Sequence, residues 1–282
     1  MLYMKDVAPN TAAPALIGYH VDHLLAFFGA KRLNQINGSL CRDYARWRGA
    51  TVKPGTVRRE LVTLQAAINH WHRESPLASV PRVWKPEDGA PRPRYLTRAE
   101  VAALLRAARR LGMSHIARFI LIGLYTGTRH AAILALRWLP SGDAGHIDMD
   151  GGRVFRMGGR ESQTAKRRPV SRIPARLMAH LHRWYRLDMA MGPQTAVIRW
   201  KGQPIVKERR AWARVVTDAG LGSDVTPHVL RHTCATWALQ SGVAAWDVSG
   251  LTGMSLKTLE RVYGHHDPDY QEGVVTAFRR AG

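Results

Sequence analysis

Apolar residues recur at helical spacing along most of the chain. Across residues 56–74, Val57, Leu61, Leu64, Ile68 and Trp71 fall on one stripe, with Thr56 placed to cap the start of a helix. Residues 17–28 and 39–48 carry the same period, and Gly29, Asn37 and Gly38 mark the turn between them. Together these segments predict a small helical bundle over residues 1–75. Between residues 76 and 94 the period collapses, and Pro76, Pro81, Pro86, Pro91 and Pro93 predict a semi-rigid linker.

Helical periodicity resumes near Tyr95 and predicts a second domain over residues 95–282. Thr97 followed by Glu100 forms a capping-box pattern ahead of Val101, Leu104 and Leu105. Further helices are predicted at 114–125 and 128–136. Over 145–173 the glycines and the short runs at Val154-Phe155 and from Val170 to Ile173 predict a small antiparallel sheet. Helices then continue to the end. The predicted fold class is mainly α (α+β), a helical bundle followed by a mostly helical domain with one small sheet.

Charge narrows the partner. Lysine and arginine number 42 against 21 acidic residues in 282, a formal net charge of +21. A polyanion is the natural partner, although a ribosome-associated or membrane-surface protein has the same balance. Cys41 and Cys234 sit in helical segments and read as buried thiols, not a disulfide framework. His20, Asp22 and His23 interrupt the first apolar stretch, so no cleavable leader is read there. The most apolar run, 119–125, is far short of the roughly 20 residues of a membrane span. The expectation is a cytoplasmic, nucleoid-associated protein with no membrane contact.

Three segments carry candidate chemistry. In Tyr125-Thr126-Gly127-Thr128-Arg129, a helix beginning at Thr128 puts Arg129 in its first turn, where backbone N–H groups and a guanidinium converge on one anion. The guanidinium fork suits two phosphate oxygens, though a surface arginine after a glycine turn is ordinarily just solvated. In Thr226-Pro227-His228-Val229-Leu230-Arg231-His232, Thr226 suits a cap and Pro227 the first helical position. His228 and Arg231 then share one face, while Leu230, Cys234 and Trp237 form a core-facing stripe; an ordinary helix start has the same pattern. Third come Gly253-Met254-Ser255, a short helix, and Tyr263-Gly264-His265-His266.

Arg129, then His228-x-x-Arg231, then Tyr263, in that order, resembles the tyrosine recombinase (phage integrase) family. No single motif is specific, but the ordered set is. The resemblance covers the whole chain: the first bundle is similar to the family's SAM-like core-binding domain, and Tyr95 onward to its catalytic domain. It implies a catalytic lysine on a β-hairpin, eight residues before a proline, which is Lys166 before Pro174. Arg167 or Arg168 takes that place if the hairpin register slips. Two positions depart from the family pattern: Ala132 stands where an acidic residue is frequent, and Met254 where His or Trp is usual, so one hydrogen-bonding position becomes apolar beside the scissile phosphate.

The resemblance implies a site-specific DNA recombinase acting through a 3′-phosphotyrosine at Tyr263, for phage or mobile-element integration or excision. Arg129 and Arg231 hold the nonbridging oxygens, Lys166 protonates the departing 5′-oxygen, and His228 positions the phosphate or takes the tyrosine proton. No metal or small-molecule cofactor is needed, and the histidines lack a zinc ligand pattern. The implied partner is double-stranded DNA with specific recombination sites, bound as a tetramer. Arg58, Arg59, Gln65 and Asn69 on the flank of the 56–74 stripe are candidate DNA contacts, with a solvated face as the alternative. The chain begins directly at the bundle, which implies either a simple site architecture without an arm-binding domain or a truncated N-terminus. A type IB topoisomerase-like relaxase, a catalytically silent DNA-binding regulator and a basic RNA-binding protein remain alternatives.

Overall fold

A computed structural model describes residues 2–11, 13–87, 94–160, 167–192 and 195–263, the last residue by its backbone only. The chain divides into two compact units, Met1–Pro91 and Arg92–Gly282.

The first unit holds helices α1 (Leu2–Asp6), α2 (Pro14–Phe28), α3 (Gly38–Gly49) and α4 (Pro54–Glu74). Asn37 caps α3 by accepting the Leu40 N–H at 3.0 Å. Helix α4 starts before Thr56, because Pro54 occupies the first turn, where its fixed φ and missing N–H cost nothing. Leu24, Phe28, Cys41, Tyr44, Val57, Leu61 and Ile68 form the core. Trp71, expected on the buried stripe, is 44% exposed. The inward face of α4 takes up Glu60, Thr63 and His70 instead, each beside a polar partner. Glu60 is fully buried and accepts the Tyr44 hydroxyl at 2.7 Å and Arg48 Nε at 3.1 Å. Thr63 pairs with His20 and His70 with Asp6. Polar side chains are tolerated inside where their hydrogen bonds are met.

The stretch expected to be a linker is in part a strap on this unit. Val83 is 3% exposed within the core, and Leu77 and Trp84 pack against it. Gln65 accepts the Val83 N–H at 2.8 Å and donates to the Pro81 carbonyl at 3.1 Å, while Arg58 donates to the Pro86 carbonyl at 2.6 Å. A proline-rich strand forms no ladder of its own, so α4 side chains satisfy its backbone.

The second unit is mostly helical: α5 (Arg98–Arg110), α6 (Ser114–Thr126), α7 (His130–Ala135), α8 (Ala175–Ala190), α9 (Arg209–Asp218), α10 (Val229–Gln240), α11 (Ala245–Thr252) and α12 (Leu256–Tyr263). The capping box at the start of α5 is formed in both directions between Thr97 and Glu100. Strands β1 (His146–Asp148), β2 (Arg153–Phe155) and β3 (Ser171–Arg172) make the antiparallel sheet in the order β1-β2-β3, with Val154 opposite both Ile147 and Ser171. A second hairpin, β4 (Arg199–Trp200) with β5 (Gln203–Pro204), turns at Lys201-Gly202. Helix α6 runs through the core, where Ile116, Phe119, Ile120 and Ile122 are fully buried, and α5 and α10 pack along it. No helix among the described residues is long and apolar enough to cross a membrane.

Asp188 of α8 ties this unit together. It is 1% exposed and accepts both ends of the Arg118 guanidinium, Arg199 Nη2 and the Trp138 indole N–H, at 2.7–3.0 Å. Burial alone raises a carboxyl pKa, but the hydrogen bonds from Arg118 and Arg199 outweigh it and hold Asp188 below the ordinary range. Asp188→Ala is expected to cost about 3–5 kcal/mol in urea denaturation, because it leaves two buried guanidiniums uncompensated; a loss under about 1 kcal/mol contradicts this role.

Candidate active site

Two helix ends meet at the site. Helices α6 and α11 both terminate at a left-handed glycine, Gly127 (φ 61) and Gly253 (φ 70). Their last carbonyls have no partner within the helix and carry the negative end of its dipole. Two buried arginines take them up. Arg231 of α10, 3% exposed, donates through Nη1 to the Gly127 carbonyl at 2.6 Å and also to the Thr252 carbonyl. Arg156, just past β2 and 4% exposed, donates to the Thr126 carbonyl at 2.6 Å and the Leu251 carbonyl at 2.7 Å. It also reaches Thr128 Oγ1 at 2.9 Å and Ser171 Oγ at 2.8 Å. Burial, and secondarily the Arg129 cation, bring the Arg156 pKa down to about 10, so it stays charged at neutral pH.

Arg129 follows directly from the Gly127 turn. It caps α7, which begins at His130, so Arg129 is outside the first turn in which the sequence placed it. The Thr128 hydroxyl pairs with Thr126 Oγ1 and receives Arg156 Nε, so this threonine serves the turn and does not start the helix. Arg129 is half-buried and donates through Nη1 to the Arg167 carbonyl at 2.7 Å. Partial burial, then the nearby Arg168 cation, lowers its pKa. Ala132, on the next turn of α7, offers no polar group.

The 167–169 segment lies against the second glycine turn. A Cβ on Gly253 falls 2.7 Å from Pro169 Cδ and 2.8 Å from the Arg167 carbonyl oxygen, so glycine is required for both the backbone angle and the close approach. Lys166 precedes this segment and lies outside the described residues.

His228 is the residue before α10, and Arg231 reaches inward from its first turn, with His228 close enough to feel the Arg231 charge. Thr226 gives no side-chain cap; its carbonyl accepts the Val229 N–H. The His228 ring meets His232 edge to face at 4.7 Å. Although part of the residue reaches solvent, loss of water around the ring and then the charges of His232, Arg231, His130 and Arg129 push its pKa down to about 4. It is therefore a neutral imidazole at pH 7. Cys234 is buried beside the Gly127 turn, and burial raises its thiol to about 11 against the pull of Arg156 and Arg231.

Met254, directly after the Gly253 turn, is 7% exposed and packs with Ala235, Val248 and Leu259 in an apolar cluster of α10–α12. Tyr263 is the last residue of α12, which is anchored by buried Leu259 and Val262. Of the candidates in the first unit, Gln65 and Arg58 hold the proline strap. Arg59 and Asn69 are exposed, and Asn69 accepts a hydrogen bond from Gln65.

Sequence reasoning missed Arg156. Its only signal is an arginine between Val154-Phe155 and Met157-Gly158, in a run otherwise suited to burial. Every hydrogen bond of Arg156 among the described residues goes to a neutral oxygen and none to a carboxylate, so it keeps a positive field that favours an anion near Arg129. Among the described residues no group of three His, Cys, Asp or Glu is arranged to hold a metal ion.

Residues 94–269 match the Phage integrase family. The chain is similar to the tyrosine recombinase XerC of Serratia marcescens, 27% identical over 155 residues, 52% of this chain and 48% of that protein. It is also similar to the tyrosine recombinase XerD of Lacticaseibacillus casei, 24% identical over 283 residues, 94% of this chain and 92% of that protein. The match thus spans about half the length of XerC and nearly all of XerD. The integrase of transposon Tn1549, solved in complex with transposon right end DNA, superposes with a TM-score of 0.75 at 16% identity, over 99% of this chain and 98% of that one. At that identity the likeness is one of fold.

Two outcomes are expected from this geometry. In an NMR titration, the His228 midpoint falls near 4; a midpoint near the ordinary value of about 6.5 contradicts it. Because the folded pKa lies below the unfolded one, His228 contributes nothing against folding above about pH 6.5 and destabilises the native state as pH falls from there toward 4. Gly253→Ala is expected to lower stability by about 1–2 kcal/mol for the left-handed backbone alone, with a further loss from collision with Arg167 and Pro169. An unchanged melting temperature rules out the close approach.

Proposed function

The chain belongs to the phage integrase family of tyrosine recombinases, and on that premise we propose that it cuts and rejoins DNA at specific recombination sites with Tyr263 as nucleophile. The observation that carries the reading is the pair of glycine turns braced by Arg231 and Arg156. One turn leads directly to Arg129 and the other, through α12, to Tyr263. A cationic pocket of this kind suits a phosphodiester.

In the proposed reaction the Tyr263 oxygen attacks the scissile phosphorus and the 5′-oxygen leaves. The 3′-phosphotyrosine so formed keeps the energy of the broken bond for rejoining. A phenol with a reference pKa of about 10 needs help to lose its proton. His228, neutral at pH 7, is able to accept a hydrogen bond from the phenol and so orient it. Arg129 and Arg231 neutralise the charge that builds on the nonbridging oxygens. Lys166, next in sequence to Arg167, is assigned to protonate the leaving 5′-oxygen. The formal charge of +21 supports duplex DNA as partner, four protomers exchange strands between two sites, and the biological setting is a phage or other mobile element.

The test uses a duplex site selected by the protein from random DNA. Two copies of that site on one plasmid are expected to recombine with the wild type. With Tyr263→Phe the rate falls below about one-thousandth while DNA binding persists. Relaxation of supercoils without recombination favours the relaxase, and binding without either activity favours a silent regulator; both outcomes overturn the proposal.

A further inference from the structure

Arg156 is a cation in the interior whose four described acceptors are all neutral oxygens. Gluing neutral surfaces together does not require a charge, and burying one is costly. What distinguishes Arg156 is the identity of the segments it joins. Thr126 and Thr128 flank the glycine turn that delivers Arg129. Ser171 opens β3, two residues after the 167–169 segment whose first carbonyl Arg129 holds. Leu251 belongs to the last turn of α11, immediately before the Gly253 turn into α12 and Tyr263. Three separately folded segments therefore take their spacing from one guanidinium. Arg231 reinforces two of them, at Gly127 and Thr252.

We infer that Arg156 is a positioning residue for strand cleavage, a buried guanidinium that sets the distance between the Arg129 turn, the hairpin segment after Lys166 and the turn leading to Tyr263. The inference rests on the strand-cleavage reading above. Arg156 acts through these segments and does not touch the DNA. Ala132 leaves the Arg129 helix with no side-chain tie from that position, and the tie comes instead from the sheet, through Arg156 to Thr128. A misplacement of about 1 Å among reacting groups is enough to slow a reaction roughly a hundredfold.

The test is single-turnover formation of the covalent complex on a nicked duplex at saturating protein, alongside DNA affinity by mobility shift and thermal melting, for wild type, Arg156→Met, Arg156→Lys and Thr128→Val. Arg156→Met is expected to cleave about a hundredfold more slowly at saturation, while affinity stays within about threefold and melting remains cooperative. Arg156→Lys recovers part of the rate, because an ammonium keeps the charge and reaches a subset of the acceptors. Thr128→Val, which removes one acceptor beside Arg129 with little change of shape, is expected to be about tenfold slower, with melting lowered by a few degrees but still cooperative. If Arg156→Met does not fold, Thr128→Val decides the matter. A wild-type cleavage rate in either variant overturns the inference, as does a loss of cleavage in Arg156→Met that only tracks lost affinity. If the wild type itself forms no covalent complex, the strand-cleavage reading fails and takes this inference with it.

Discussion

The carbonyl ends of α6 and α11 face each other with four backbone oxygens that no helix can satisfy, and Arg156 and Arg231 are what fill the space between them. The arrangement is mutually dependent. Without the guanidiniums the carbonyls are buried without partners, and without the carbonyls the cations have no compensation in the interior. The left-handed glycines follow from it, since each helix must stop abruptly and turn its last carbonyls inward. Arg129, the 167–169 segment and α12 all hang from these two turns. The same construction buries the Arg156 cation with no carboxylate partner among the described residues, which favours an anion nearby.

The first unit meets the same constraint differently. There a buried carboxylate, Glu60, is neutralised by Arg48 and hydrogen-bonded by Tyr44, so the charges balance inside the bundle. In the second unit the single carboxylate of Asp188 is shared by two guanidiniums, Arg118 and Arg199. Against these two carboxylate-centred sites, Arg156 is buried with acceptors that, among the described residues, are all neutral oxygens.

Much of this architecture is legible in the chain. The 3.6-residue period located the long helices, the Thr97 and Glu100 pair marked the start of α5, and the Val154 and Ser171 region marked the sheet. The order of Arg129, His228, Arg231 and Tyr263 pointed to the family. The rest depended on tertiary partners that local pattern does not encode. Periodicity cannot say that Glu60 is interior and Trp71 half-exposed, because that depends on Arg48 and Tyr44 arriving from α3. The prolines of 76–94 suggested a semi-rigid linker, and at Pro81 and Pro86 Gln65 and Arg58 supply hydrogen bonds that a proline strand lacks. Thr128 resembles a helix cap until Arg156, distant in sequence, claims its hydroxyl. The β4–β5 hairpin had a signal in Lys201-Gly202, a two-residue turn.

The point at which DNA becomes attached to the protein tests the strand-cleavage mechanism most directly. The covalent complex trapped on a nicked duplex is digested with protease and nuclease, and the modified peptide is sequenced by mass spectrometry. A 3′-phosphonucleotide on Tyr263 is the result this account requires. A nucleotide on Tyr270, or cleaved DNA released with a free 3′-phosphate and no adduct on the protein, contradicts it.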